Sequence, residues 1–132
     1  MNIVILGAGQ VGSELSAILA SDHDVTLIDL NQEKLQKISD HHDLKTICGN
    51  ACYPKTLEQA EIEKSDLAIA MTQYDEVNMV ACQMIKHISK RTKTMARIRA
   101  TQYLGGKGSE IFEAGDYLSL IHISEPTRHC LI

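Results

Sequence analysis

Three features of the sequence predict an α/β fold: a doubly wound parallel sheet with helices on both faces. Short apolar runs alternate with helical patterns along the chain. The first run, Asn2-Ile3-Val4-Ile5-Leu6, passes directly into a glycine turn, Gly7-Ala8-Gly9-Gln10-Val11-Gly12. A later run, Leu67-Ala68-Ile69-Ala70-Met71, is continuously apolar, as a strand covered on both faces is.

Taken in order, the apolar run ending at Leu6 is a strand, and a helical pattern follows the glycine turn and runs to Ala20. Val25 to Ile28 is a second strand, closed by Asp29. Asn31 is placed to cap a helix that runs to about His41, with Glu33 in its first turn and Leu35 and Ile38 on its inner side. Leu44 to Cys48 reads as a third strand ending in the turn Gly49-Asn50-Ala51. Pro54 suits the first position of a short helix reaching about Ala60. After the strand Leu67 to Met71, Thr72 to Asp75 form a loop. Glu76 to about Ser89 is then a helix whose apolar face is assigned to Val77, Val80, Ala81, Met84, Ile85 and Ile88. Thr94 to Ile98 is a fifth strand. Connections of these lengths imply right-handed crossovers.

The opening strand, glycine turn, helix, strand and terminal acid form the dinucleotide-binding fingerprint in its full context, the Rossmann pattern. Gly7 allows the tight turn, Gly9 lets a pyrophosphate approach the backbone, and Gly12 lets helix and strand pack closely. The helix start offers N–H groups and the positive end of its dipole to phosphates. Asp29 follows Gly7 at about the 20-residue spacing of a carboxylate that binds ribose hydroxyls. A carboxylate there repels a 2′-phosphate, and no basic residue occurs before Lys34. NAD(H) or an adenine nucleotide is therefore favoured over NADP(H).

Composition narrows the class. One domain of 132 residues has room for a core but not for a two-domain dehydrogenase. A net charge of −4 gives no reason to expect a nucleic-acid partner. No apolar stretch approaches the roughly 20 residues of a membrane span, and no signal-peptide pattern opens the chain. The four cysteines suggest neither a disulfide framework nor a zinc site and read as buried, reduced thiols. The methionines Met71, Met79, Met84 and Met95 read as core filler, His41-His42 as an exposed helix end without a metal role, and Lys86, Lys90, Arg91 and Lys93 as a solvated basic stretch. Hydride transfer needs a placed acid or base, and no catalytic residue is identified. Tyr103 and Lys107 match a Y-x-x-x-K spacing, but Gly105-Gly106 between them would break the helix that pairing requires.

The segments Gly7 to Gly12, Asp75-Glu76-Val77-Asn78-Met79-Val80-Ala81-Cys82-Gln83 and Ala96-Arg97-Ile98-Arg99 together resemble the N-terminal lobe of the TrkA family. These are bacterial potassium-uptake regulators of the RCK (KTN) class. The resemblance covers about Met1 to Tyr117. It implies regulation without turnover: a nucleotide-sensing subunit that binds NAD or NADH, or ATP or ADP, and gates an integral-membrane potassium transporter. It further implies a homo-oligomer when full length, located in the cytoplasm and peripherally associated with the membrane. Carried onto this chain, the pyrophosphate lies on Gly7, Ala8, Gly9, Gln10 and Val11 and the ribose on Asp29. Thr72 and Gln73 line the far half of the ligand, Arg97 faces the phosphates, and Asn50 and Ala51 flank the adenosine. Because Arg97 and Arg99 alternate on a strand, one of them is expected in the cleft and the other outside it. The competing expectation is the N-terminal cofactor domain of a truncated NAD-dependent dehydrogenase.

From Leu118 to Arg128 the chain reads LSLIHISEPTR, which resembles a translated sequencing adapter. This divides the chain into a nucleotide-binding domain, 1–117, cut before its sixth strand, and a non-native tail, 118–132. The alternative is a genuine sixth strand, since Leu118, Leu120 and Ile121-His122-Ile123 have adequate β-propensity. An apolar tail can pair with an open sheet edge on either reading. His122, His129 and Cys130 carry no site.

Overall fold

The computed structural model describes residues 1–103 and the strand Leu118–His122. Six parallel strands run in the order β3-β2-β1-β4-β5-β6. They are β1 (Asn2–Leu6), β2 (Asp24–Asp29), β3 (Lys45–Cys48), β4 (Leu67–Ala70), β5 (Lys93–Ile98) and β6 (Leu118–His122). The helices are α1 (Gln10–Leu19), α2 (Gln32–Ser39), α3 (Pro54–Gln59) and α4 (Asp75–Ile88), with short 3-10 turns at Ile62–Lys64 and Thr101–Tyr103. The expected doubly wound sheet is therefore present. Its winding reverses between β1 and β4, where Leu6 pairs with Ile28 on one side and Ala70 on the other. A crevice opens at such a point beyond the carboxyl ends of the strands.

Alternation along β1 divides the core. Ile3 and Ile5 pack with Val25, Leu27, Leu35, Ile69 and Met71 on the face covered by α1 and α2. Val4 and Leu6 pack with Leu57, Ile62, Met79, Ile85 and Ile98 on the face covered by α3 and α4. Side chains pointing alternately to two buried faces explain why these strands read as unbroken apolar runs. The methionines do fill core, with Met71 and Met79 buried and Met84 and Met95 packed against the two clusters.

The helix boundaries follow the local chemistry. Asn31 caps α2, its Oδ1 accepting the Lys34 N–H at 3.2 Å. Pro54 opens α3. In α4 the expected inner face holds for Ala81 and Ile85, which are buried, and for Met84 and Ile88, which pack against the core, and is corrected at Val80. The buried residues are Asp75, Asn78, Met79, Ala81, Cys82 and Ile85, whereas Val80 is 51% exposed. At 100° per residue Val80 lies opposite the line through Asn78, Cys82 and Ile85. Hydrophobicity points to the valine; the helix instead turns Asp75 and Asn78 inward.

Two further expectations need correction. Cys48 is exposed, Cys52 half-buried and Cys82 buried, so the thiols are not uniformly internal. The basic stretch is partly tied down as well. Arg91 donates to the Asp66 carboxylate at 2.8 Å and to the Ser65 carbonyl at 2.9 Å, and Lys86 donates to the Thr92 carbonyl. Leu118–His122 runs parallel to Thr94–Ile98 at the sheet edge. Lys107, Tyr117, His129 and Cys130 lie outside the described residues.

Candidate functional site

The cleft begins with the glycine turn. Gly7 has φ +110°, a conformation that L side chains rarely adopt, and a Cβ there would stand 2.9 Å from the Met71 carbonyl carbon and the Thr72 nitrogen. Gly12 has no tolerance either, because its Cβ would lie 2.0 Å from the Gly7 carbonyl oxygen. A Cβ on Gly9 would meet nothing within 4 Å among the described residues, so that side of the turn faces open space. Gly9 is the N-cap of α1, no side chain among the described residues caps this helix, and its first turn carries no acid. The N–H groups and the positive dipole end are thus left to whatever enters the cleft.

The cleft has a volume of about 730 Å³, within the range of small-molecule sites. It gathers Gly7, Ala8, Gly9, Gln10 and Val11 from the turn, Asp29 from the end of β2, and Asn50 and Ala51 from the loop after β3. Thr72 and Gln73 enter from the loop after β4, and Arg97 from β5. Every expected site residue except Gly12 lines this one space. Gly12 lies beneath it, in the packing role that its spacing implied.

Backbone pairing fixes several of these groups. The Gly49 N–H donates to the Asp29 carbonyl at 2.9 Å, binding the β3 loop to the end of β2. Asn50 Oδ1 accepts the Cys52 N–H at 2.8 Å, so its side chain builds its own turn. The Cys48 thiol donates to the Leu30 carbonyl. Asp29 itself is half-buried at the cleft wall.

Arg97 is only 5% exposed, and its Nε is buried without a hydrogen-bond partner among the described residues. A desolvated guanidinium facing a cleft favours an anion there. Arg99 lines the same cleft, contrary to the expectation that only one of the two arginines would. The reason is that β5 ends at Ile98, so strand alternation does not govern Arg99.

The sequence reading also missed two residues that hold the cleft in shape. The Asp75 carboxylate, buried at the start of α4, accepts the backbone N–H groups of Arg99 at 2.9 Å and Ala100 at 2.8 Å. Asn78, fully buried, bonds to both Thr72 and Arg97. The available signal was an acid and an amide three residues apart on an otherwise apolar helix face, positions that water-filled surroundings would not require.

A glycine turn at the switch point of a doubly wound sheet, opening into a cleft lined by an acid and two arginines, defines a Rossmann-type domain. The model of the TrkA-N domain family matches residues 3–115, and the chain belongs to that family. It is 43% identical over 115 residues to the Trk system potassium uptake protein TrkA of Halomonas elongata, covering 86% of this chain and 25% of that protein. Against the Haemophilus influenzae protein of the same name it is 44% identical over 108 residues, covering 81% of this chain and 24% of the relative. The chain therefore spans about a quarter of the length of these relatives. Among solved structures, the TrkA-N domain of the Escherichia coli inner membrane protein ybaL superposes with a TM-score of 0.78 at 18% identity, over 92% of this chain and 86% of that one. The GsuK channel bound to NAD gives 0.72 at 18% identity, over 89% and 21%. The AMP-bound Kef C-terminal domain of Shewanella denitrificans gives 0.66 at 18% identity, over 79% and 65%.

Proposed function

We propose that this chain is the nucleotide-sensing lobe of a Trk-type potassium uptake regulator. NAD(H) or an adenine nucleotide binds in the cleft, and its occupancy biases the gating of a membrane potassium transporter. The observation that carries the reading is the convergence of the glycine turn, Asp29, Thr72, Gln73 and Arg97 on a single cleft. The names of the curated relatives support the potassium-uptake role. The bound NAD and AMP in two structures of the same fold support a nucleotide as ligand.

In this reading the pyrophosphate lies over Gly9 at the open N-terminus of α1, with Arg97 supplying the counter-charge. Asp29 accepts the ribose hydroxyls. The chain's role is regulatory, not catalytic: the ligand acts only through a difference in its affinity for two arrangements of assembled lobes, at the inner face of the membrane. Full-length copies associate to make those arrangements possible.

Calorimetric titration of the chain with NADH, NAD⁺, ATP and ADP, alongside Asp29→Ala, tests the reading. The expected result is binding of at least one of them, weakened about tenfold or more by the substitution. A folded chain that binds none of the four overturns the proposal, as does net oxidation of a substrate when NAD⁺ is supplied.

A further inference from the structure

We infer that Asn78 fixes the hydrogen-bond polarity of one wall of the cleft, making Thr72 an acceptor that recognises a donor on the ligand. That donor is a sugar hydroxyl or a carboxamide N–H, and not a phosphate oxygen. The inference rests on the reading of the cleft as a nucleotide site and assigns a chemical group to one part of it.

Asn78 is 0% exposed, and among the described residues its side-chain bonds run to Thr72 and Arg97. Its Nδ2 donates to the Arg97 carbonyl at 2.9 Å and to the Thr72 carbonyl at 3.1 Å. Its Oδ1 accepts the Thr72 backbone N–H at 2.9 Å. Carbonyls only accept and a backbone N–H only donates, so the amide has one permissible orientation. Exchanging its oxygen and nitrogen would set a donor against a donor and an acceptor against two acceptors.

The consequence passes to the Thr72 hydroxyl. Its Oγ1 lies 2.6 Å from Asn78 Oδ1 and 3.2 Å from the Tyr74 carbonyl, and both of these can only accept. The single hydroxyl hydrogen is therefore held by the protein, with the shorter contact taking it. The Tyr74 N–H donates into the same oxygen at 3.3 Å. One lone pair remains, on a half-buried residue that lines the cleft. A phosphate oxygen brought there would face a lone pair with a lone pair, whereas a hydroxyl or an amide N–H completes the oxygen's bonding. Phosphates are left to the open start of α1 and to Arg97. The same Asn78 amide holds the Arg97 carbonyl, so one side chain keeps the donor-recognising and the anion-recognising walls in register.

Titrations of AMP, ADP-ribose and NADH into the wild-type chain, Thr72→Val and Thr72→Ser test this. Thr72→Val is expected to weaken NADH binding about tenfold, with Thr72→Ser near wild type and AMP unchanged. A parallel loss with ADP-ribose identifies the second ribose as the donor, and a loss confined to NADH identifies the carboxamide. An unaltered NADH affinity in Thr72→Val, or an equal loss for AMP, overturns the inference. Asn78→Ala supplies the coupling arm. In that background the Thr72 hydroxyl loses its 2.6 Å acceptor and keeps only the Tyr74 carbonyl at 3.2 Å, and the Thr72 backbone N–H loses its bond. The contact is then less well oriented, so the effect of Thr72→Val on NADH should be smaller than in the wild-type background; an undiminished effect overturns the role of Asn78. Should Asn78→Ala fail to fold, Asn78→Ser takes its place in the cycle under the same criterion. A wild-type chain that binds none of the three ligands defeats the nucleotide reading itself, a result separate from wild-type binding that Thr72→Val leaves untouched.

Discussion

The Asp75 carboxylate accepts the backbone N–H of Arg99 at 2.9 Å, and its second oxygen accepts that of Ala100 at 2.8 Å. A helix start thereby holds the chain as it leaves β5, and with it the arginine pair at the cleft. Asp75→Asn replaces one acceptor oxygen by a donor that meets an N–H. The substitution is expected to cost about 2 kcal/mol, the scale of a charge-assisted bond lost with one group left unpaired. Urea unfolding of the variant chain would show it as a lower midpoint with an unchanged slope.

The glycine turn separates stability from binding. Gly12→Ala forces a Cβ to within 2.0 Å of a backbone oxygen, so α1 must shift, at an expected loss of about 3 kcal/mol. Gly9→Ala meets only open space and should change stability by less than about 1 kcal/mol. It places a methyl group where the ligand's phosphates would lie, so its effect should appear as weakened nucleotide affinity. Thermal unfolding and calorimetry on the two variants give opposite patterns if the turn is a phosphate loop. Equal stability losses would remove that distinction.

Asp29 should govern the choice of cofactor. A carboxylate beside the ribose disfavours a 2′-phosphate, so NADH is expected to bind at least about tenfold more tightly than NADPH, or about 1.4 kcal/mol. Asp29→Asn removes the charge and should narrow that gap mainly by weakening NADH. Competitive titration would read both numbers.

Asp66 sets an acid limit at the opposite end of the sheet. The Asn2 N–H, and after it the Arg91 guanidinium, hold its carboxyl below the usual range. A depressed folded-state value means that the stabilisation is fully present above the unfolded value near 3.9 and fades as pH falls through the folded one. The gap in melting temperature between the wild type and Asp66→Asn should therefore be constant from pH 7 to about 5 and close below about pH 4. The gap will be small, because the pair is exposed to solvent.

The thiols should react in order of burial. Desolvation pushes the Cys82 thiol up to about 12, and burial also raises Cys52, while Cys48 stands exposed at the end of β3. In a Cys130→Ser background at pH 8, a thiol-specific chromophore should label Cys48 promptly, Cys52 slowly and Cys82 only on unfolding. A raised folded value gives stability that is complete below the unfolded thiol value near 8.5 and declines as pH rises above it. Prompt labelling of Cys82 in the folded chain would contradict the packing of α4 against β5.

Much of the candidate site was legible in the order of residues because its signals are local. Gly7 and Gly12 are demanded by a turn and a contact within the same few residues, Asp29 by the end of a strand, and the strands by continuous apolar runs. What sequence order could not supply were relations between distant elements. Val80 belongs to the expected apolar face and is exposed, while Asn78, outside that face, is fully buried. Which side of α4 meets the sheet depends on where β4 and β5 lie, and hydrophobicity alone left that angle open. Arg99 joined the cleft because β5 stops one residue before it and Asp75 holds the following backbone. The polarity of Thr72 depends on an amide six residues away that must also satisfy Arg97 across the strands. Buried polar groups must find partners, and which partner each one finds is decided only when the chain has brought them together.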